Sequence, residues 1–242
     1  MHLPAPFAPV GDHIGIALPG GRALFTTRRG GVSEGAYASL NLGRWTDDDP
    51  DAVHRNRSIL AEAIGLPLEA VVQGRQVHGA RVERRATGDG ALSDADGQAT
   101  AERGLAALVL TADCLPIALI APGAVAMVHA GWRGLAAGVV EEGVAAVREL
   151  SNDAEVRAAI GPGAGGCCYE VGPDVHAAFG RSATGPERID LKAIARERLA
   201  RAGVAEVHDV AICTLCADPA LFFSHRRDGG VTGRQAGIAW RS

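Results

Sequence analysis

The chain has 242 residues, a formal net charge of −4 and a pI near 6.1, which leaves room for a proper core and gives no reason to expect nucleic acid or an anionic membrane as a partner. Aromatic residues make up only 4%, so a base-stacking platform is unexpected too. No run reaches the roughly 18 apolar residues of a membrane span and the start, MHLPAPFAPVGDH, lacks the basic and apolar regions of a signal peptide, so a soluble cytoplasmic protein is expected.

The first predicted elements are strands at 13–18 and 22–27 about the Pro19-Gly20-Gly21 turn. Arg28-Arg29-Gly30-Gly31-Val32-Ser33 follows. Its glycines beside arginine and hydroxyl groups can form a backbone nest for an anion such as phosphate, or a plain surface turn with solvated arginines. Residues 39–43, which include Asn41, alternate enough for a short strand. The acidic run 47–51 is a favourable helix start, and 52–64 continues as a helix closed by Gly65, with a face that reads as structural. Residues 70–72 and 76–84 read as extended, with His78 beside Gly79. The small, polar stretch 86–104 reads as a loop. Its Ser93-Asp94-Ala95-Asp96-Gly97 could be a calcium loop only weakly, since no glutamate stands at the closing position.

The aliphatic runs 105–110, 115–120 and 124–128 surround the turn signal Ala121-Pro122-Gly123. A hairpin about that turn sets Cys114 roughly opposite His129, with cross-strand Cβ atoms about 5 Å apart. Gly131-Trp132-Arg133-Gly134 then bends into a helix over 135–150. Backbone amides at its start favour anions and Arg133 adds a guanidinium fork, or Trp132 simply anchors the bend while Arg133 points outward. A strand at 156–160 leads to GPGAGGCCYEVG, where Gly161, Gly163 and Gly166 satisfy G-x-G-x-x-G literally. Pro162 and the late start of the short helix near 174–179 argue against a dinucleotide site there. A helix at 191–202 and strands at 208–213 and 235–240 complete the chain, and with no repeat or linker it reads as one domain over 1–242.

Five cysteines are an odd number in a chain that does not need disulfide staples, so reduced thiols are expected. Cys213-x-x-Cys216 with Cys167 and Cys168 offers an all-cysteine zinc site in principle, although such sites usually use two spaced pairs rather than a vicinal one. Lys192 is the single lysine, so any one arginine carries less functional weight than usual. Only His78, Cys114 and His129 each sit beside small residues at strand ends in the apolar middle. Buried hydrophobe is the commonest fate of a cysteine, but a Cys/His/His set leaves one position of tetrahedral zinc open, the pattern of a catalytic site. Water at that position falls to a pKa of about 7. The metal-free competitor is a Cys114 thiolate activated by His129, with hydrolase or transferase chemistry.

Six ordered stretches, TTRRGGVSEGAYASLNLG, QVHG, TADCLPIAL, HAGWRGLAAG, IGPGAGGCCYEVG and FFSHRRDGGVTGR, together resemble the family called multicopper polyphenol oxidase or laccase-domain proteins. Its members are now regarded as purine nucleoside phosphorylases and are also named peptidoglycan editing factor. The similarity runs from about Phe25 to Trp240. It implies an α/β (α+β) single domain with mixed β-sheets packed between outer helices, the laccase-domain, cytotoxic necrotizing factor-like fold. It also implies one zinc ion held by His78, Cys114 and His129. The implied activities are phosphorolysis of adenosine, inosine and 5′-methylthioadenosine, together with adenosine deamination, in a monomer or weak homodimer. Arg28, Gly30, Gly31, Ser33, Asn41 and Arg133 are the candidate substrate and phosphate contacts. One departure from the family is His225, which stands where an aromatic, usually tyrosine, precedes Arg-Arg-Asp, so base preference is the property it puts in question. The legacy oxidase label needs roughly ten histidines in paired H-x-H spacing for four coppers. This chain has eight, none so paired, which leaves at most a single copper in place of zinc at the same three ligands.

Overall fold

Residues 106–111, 115–121 and 124–130 are buried at every position, a pattern that strands show when both faces of their sheet are covered. A computed structural model describes residues 2–87 and 92–242. In chain order its elements are β1 (Ala8–Val10), β2 (His13–Leu18), β3 (Gly21–Phe25), α1 (Pro50–Ala63), β4 (Val71–Val72), β5 (Val82–Arg84), β6 (Gly97–Thr100), β7 (Ala106–Thr111), β8 (Leu115–Ala121) and β9 (Ala124–Ala130). There follow α2 (Trp132–Ala137), α3 (Val139–Ser151), β10 (Arg157–Ile160), β11 (Glu170–Val171), α4 (Pro173–Ala177), β12 (Glu187–Arg188), α5 (Leu191–Arg201), β13 (Glu206–Asp209) and β14 (Gln235–Arg241).

Two six-stranded sheets form, in the orders β1-β2-β3-β14-β7-β4 and β13-β10-β8-β9-β6-β5, beside the small pair β11-β12. Both large sheets are mixed: β4 runs parallel to β7, β5 to β6, and β10 to β13. Successive residues of a strand face opposite ways. Ala118, Ile120, Val125 and Met127 accordingly meet Ile14, Ile16, Phe25 and Val109 of the first sheet, while Ile117, Leu119, Ala126 and Val128 meet Val140 and Val144 of α3 and Leu199 of α5. On the far face of the first sheet, Leu24, Leu108 and Ile238 cover Leu60 of α1 together with Leu40 and Leu42. Each buried Val, Leu or Ile contributes about 1.5–3 kcal/mol before chain entropy is counted. The expected mixed sheets between outer helices are thus realised as helix, sheet, sheet, helix.

Several boundaries differ from expectation. Ala121 already pairs with Ala124 and His129 faces Pro116, not Cys114, because the hairpin loop is only Pro122-Gly123, with Gly123 at φ 110°. The helix expected over 135–150 is two, broken at Gly138, whose φ of 96° no ordinary helical residue adopts. The stretch read as a loop contains β6, although residues 88–91 lie outside the described part. Aspartates of the weak calcium-loop reading are engaged otherwise: Asp94 bonds Arg75 and Asp96 is buried in the site described below. The strand expected at 208–213 ends at Asp209. Residues 39–43 form no strand but hang from α1, which is N-capped by the Asp49 side chain. Fully buried Asn56 donates to Ser33 Oγ at 2.8 Å and Asn41 O at 2.9 Å and accepts from Val32 N at 2.8 Å. Asn56→Ala strands these groups, and a loss of about 2–4 kcal/mol is expected, read as a lower denaturant midpoint at unchanged slope. Among the described residues no helix is long and apolar enough to cross a membrane.

Candidate active site and metal centre

Three segments meet at one end of the second sheet. His78 lies in the irregular stretch between β4 and β5, Cys114 in the turn ahead of β8, and His129 on β9. The histidine ring nitrogens and Cys114 Sγ fall within 4.8 Å of one another, and the two imidazoles stand edge to face, 4.9 Å between centroids. Two of the segments enter through left-handed backbone: His78 has φ 60° and Asp113, just before Cys114, φ 90°. Such a conformation costs a non-glycine residue roughly 1–2 kcal/mol, so something must hold it.

For His78 that support is Asp96, fully buried just ahead of β6. Its carboxylate accepts the backbone N–H groups of Val77, His78 and Gly79 at 3.1, 2.9 and 2.7 Å, and Oδ1 also lies 2.8 Å from His129 Nδ1. The Asp96 carbonyl accepts the N–H of His129 at 2.6 Å. For Cys114 the support is Asp113, whose carboxylate accepts from Thr214 Oγ1 at 2.7 Å and Arg226 N at 2.8 Å. Gly131 completes the geometry by having no side chain: a Cβ there would lie 2.9 Å from Cys114 Sγ and 3.2 Å from His78 Cδ2.

Burial opposes every charge in this cluster, yet the partners prevail. The Asp96 carboxyl is held below the usual range because His129 and the amides of Gly79 and Val77 outweigh its desolvation. Desolvation likewise pushes the Cys114 thiol up, but His129 and then His78 bring it down to about 6. His129 is driven down by burial and raised, by the Cys114 thiolate and Asp96, to about 9. Without metal the pair is therefore thiolate and imidazolium at neutral pH. In metal-stripped protein, the rate of Cys114 alkylation by iodoacetamide should rise through about pH 6 rather than about 8.5 as for a free thiol. Peptide mass spectrometry across pH reads that midpoint, and a value above 8 contradicts the ion pair.

A cavity of about 300 Å³ opens over the three residues, lined also by Gly43, Trp45, Thr46, Gln76, Leu110, Thr111, Ala112, His225 and Arg234. That volume suits a small organic ligand. Gln76 is fixed by a two-way amide pairing with Leu110, 2.8 Å in each direction. Arg234 donates to the carbonyls of Thr232 and Gly233 at 2.8 and 2.9 Å; burial lowers its pKa, opposed by the attraction of Cys114 and Asp113. Trp45 leaves 58% of its surface exposed at this cavity.

The structure thus brings His78, Cys114 and His129 together. The candidate phosphate contacts Arg28, Gly30, Gly31, Ser33, Asn41 and Arg133 are not among the described residues lining the cavity, and Asn41 Oδ1 accepts the N–H groups of Arg234 and Gly43, which are. Arg28 donates to the carbonyls of Ala38, Pro219 and Ala36 and stacks 4.3 Å over Phe223. Ser33 donates to Asp48 at 2.6 Å, and Asn41 to Thr46 and Asp48 at 2.9 Å. The N–H of Gly31 donates to Ser39 Oγ. Exposed Arg133 lies 4.3 Å over the ring of its neighbour Trp132. Gln76 and Arg234 were not singled out by sequence reasoning, and Asp96 entered it only in the weak calcium-loop reading. The signal for Asp96 is chemical, because a ligating histidine normally gives its second ring N–H to a carboxylate or carbonyl.

Known proteins are similar along nearly the whole chain. A purine nucleoside phosphorylase of Streptomyces coelicolor is 42% identical over 229 residues, covering 89% of this chain and 93% of its own. The purine nucleoside phosphorylase YlmD of Geobacillus stearothermophilus is 39% identical over 249 residues, covering 92% and 90%. The crystal structure of YlmD superposes with a TM-score of 0.89 over 97% of each chain. That of a Neisseria meningitidis protein gives 0.86 at 38% identity, over 96% of this chain and 100% of the other. Matched over residues 22–242, the chain belongs to the family described as multi-copper polyphenol oxidoreductase laccase.

Proposed function

We propose that this protein is a zinc-dependent purine nucleoside phosphorylase. In this reading it cleaves adenosine, inosine and 5′-methylthioadenosine with phosphate to the free base and a ribose 1-phosphate, deaminates adenosine as a second activity, and works in the cytoplasm as a monomer or weak homodimer. The observation that carries it is an open three-ligand set, oriented by Asp96, at a cavity that also presents Arg234, in a chain whose relatives bear that name. One thiolate and two imidazoles suit zinc, or a single copper, and with Nδ1 turned to Asp96 the Nε2 of His129 is the nitrogen left to ligate. When bound there, zinc supplies Lewis-acid polarisation at the open position. Arg234 orients the phosphate, the exposed ring of Trp45 stacks on the purine, and His225 meets the base at the cavity.

Elemental analysis paired with inosine cleavage, with and without phosphate and chelator, tests this reading. Zinc at one equivalent in this set and base release that needs both phosphate and metal are expected; release without phosphate sinks it. Arg234→Ala should raise the phosphate KM about tenfold or more, as expected for a charged contact of roughly 1.5–3 kcal/mol, while the Arg28→Ala/Arg133→Ala double variant should not. The opposite outcome returns the phosphate site to the residues first expected. A second reading is favoured by the Asp96–His129–Cys114 series, which has the orienter, base and nucleophile order of cysteine enzymes. A metal-independent hydrolase, acting for instance on a peptidoglycan precursor, keeps its activity under chelation and loses it when Cys114 is alkylated.

A further inference from the structure

The turns after β10 and β13 are zipped together by their backbones. Gly163 N donates to Ile212 O at 3.2 Å and Thr214 N to Gly163 O at 3.1 Å. On that support the Sγ atoms of Cys167, Cys168, Cys213 and Cys216 fall within 4.8 Å of one another, and those of Cys167 and Cys216 stand 3.6 Å apart. A tetrahedral zinc–thiolate centre with bonds of about 2.3 Å has sulfur–sulfur edges of about 3.8 Å, so small side-chain rotations complete the geometry. The vicinal pair is no obstacle, because residues 166–168 form a turn, closed by Cys168 N to Gly165 O at 3.0 Å, and a turn lets neighbouring side chains converge where a strand would send them to opposite faces.

Two further observations point to a ligated sulfur. Cys213 Sγ accepts the N–H of Gly165 at 3.2 Å, a donor suited to a thiolate. Gly165 also keeps the room free: a Cβ there would lie 3.1 Å from Cys213 Cβ and 3.3 Å from Cys167 Sγ.

We propose that Cys167, Cys168, Cys213 and Cys216 bind a zinc ion as a closed four-thiolate site, separate from the His78, Cys114 and His129 set. Four thiolates leave no open coordination position, so the site is structural. It clamps the loop bearing Tyr169 to the loop bearing Thr214, and Thr214 bonds Asp113, the residue before Cys114. The clamp is therefore two short steps from Cys114 while donating nothing to the cavity. Uptake of the ion releases the thiol protons.

Zinc titration of reduced, metal-stripped protein against a colorimetric chelator tests the site. Wild type is expected to take up a second equivalent beyond the active-site ion, Cys114→Ala to keep one, and Cys213→Ser/Cys216→Ser to lose one while keeping the other. Cobalt(II) added to Cys114→Ala protein should show strong sulfur-to-metal charge-transfer absorption and tetrahedral visible bands. If Cys114→Ala protein binds no zinc, or its cobalt spectrum is that of an oxygen-ligated ion, the site does not exist. Should the double serine variant fail to fold, the wild-type and Cys114→Ala titrations decide alone. A Cys167–Cys216 disulfide in zinc-loaded protein, or iron instead of zinc in freshly purified protein, overturns the assignment.

Discussion

Asp96→Ala is expected to abolish metal retention and to destabilise the fold by on the order of 5 kcal/mol, the largest effect of any single substitution around the site. The carboxylate accepts three successive backbone N–H groups and faces the Nδ1 of a buried histidine. Removing it leaves these part-buried donors without their carboxylate partner, at about 1–3 kcal/mol each. It also frees His78, whose φ of 60° is kept by those bonds, to relax out of the ligating position. Asp96→Asn separates the two consequences. The amide keeps the shape and one acceptor oxygen but turns an NH₂ toward backbone N–H donors and gives up the charge that fixes the His129 tautomer. A loss of metal affinity of about 10–100-fold is expected, measured by competition with a chelator of known affinity, alongside a smaller drop in Tm. Unchanged affinity in Asp96→Asn would mean that His129 is oriented by something other than this carboxylate.

Gly131→Ala should act on the metal set with almost no backbone consequence. The residue has φ −76° and ψ 171°, conformations any residue adopts, so the effect is the volume of one methyl group. That methyl would stand 2.9 Å from Cys114 Sγ and 3.2 Å from His78 Cδ2, and a cysteine side chain is too short to swing aside without giving up its position. Displacing a reacting group by about 1 Å can lower a rate by about 100-fold, and overpacking a tight site costs typically 1–3 kcal/mol. Crowding is sharpest where the ligands must converge. The stabilisation gained on adding zinc, which follows from its preference for the folded form, should therefore shrink by more than the metal-free Tm falls. Equal losses with and without zinc would show that the methyl disturbs general packing instead.

Much of this was legible in the residues, but unevenly. The hairpin of β8 and β9 is plain from two aliphatic runs about Pro122-Gly123, yet the pairing is displaced by two residues. Because side chains repeat every two residues, that displacement preserves which side His129 faces, which is why it still falls beside Cys114 and His78. β6 was missed because Gly97-Gln98-Ala99-Thr100 has no apolar alternation. It is a strand only through its neighbours β5 and β9, and such context outweighs intrinsic preference. Asp96 was hidden with it. The helix α1 reads correctly from its acidic start, but sequence cannot show that Asn56 and Arg57 on its inner face are spent on loop backbone. Arg28 was attractive as an anion contact by composition alone. In the fold its guanidinium donates to three backbone carbonyls, and Arg234, which donates to two, is the arginine that lines the cavity. The four sulfurs show the same limit, since a vicinal pair argues against a shared site until a turn and a backbone zip bring the residues together.

The cavity lies across the seam of the two sheets. His129 lies on β9 of the second sheet and Cys114 leads into its β8, while Leu110, Thr111 and Arg234 come from β7 and the approach to β14 in the first. Floor and wall therefore rest on separately hydrogen-bonded scaffolds, joined through aliphatic side chains that tolerate exchange of similar volume. In the proposed function, substrate choice can then drift by substitutions on one scaffold while Cys114 and His129 are kept on the other. In a directed-evolution experiment for altered base preference, accepted changes should gather in the wall and the loops that feed it, leaving β8 and β9 untouched.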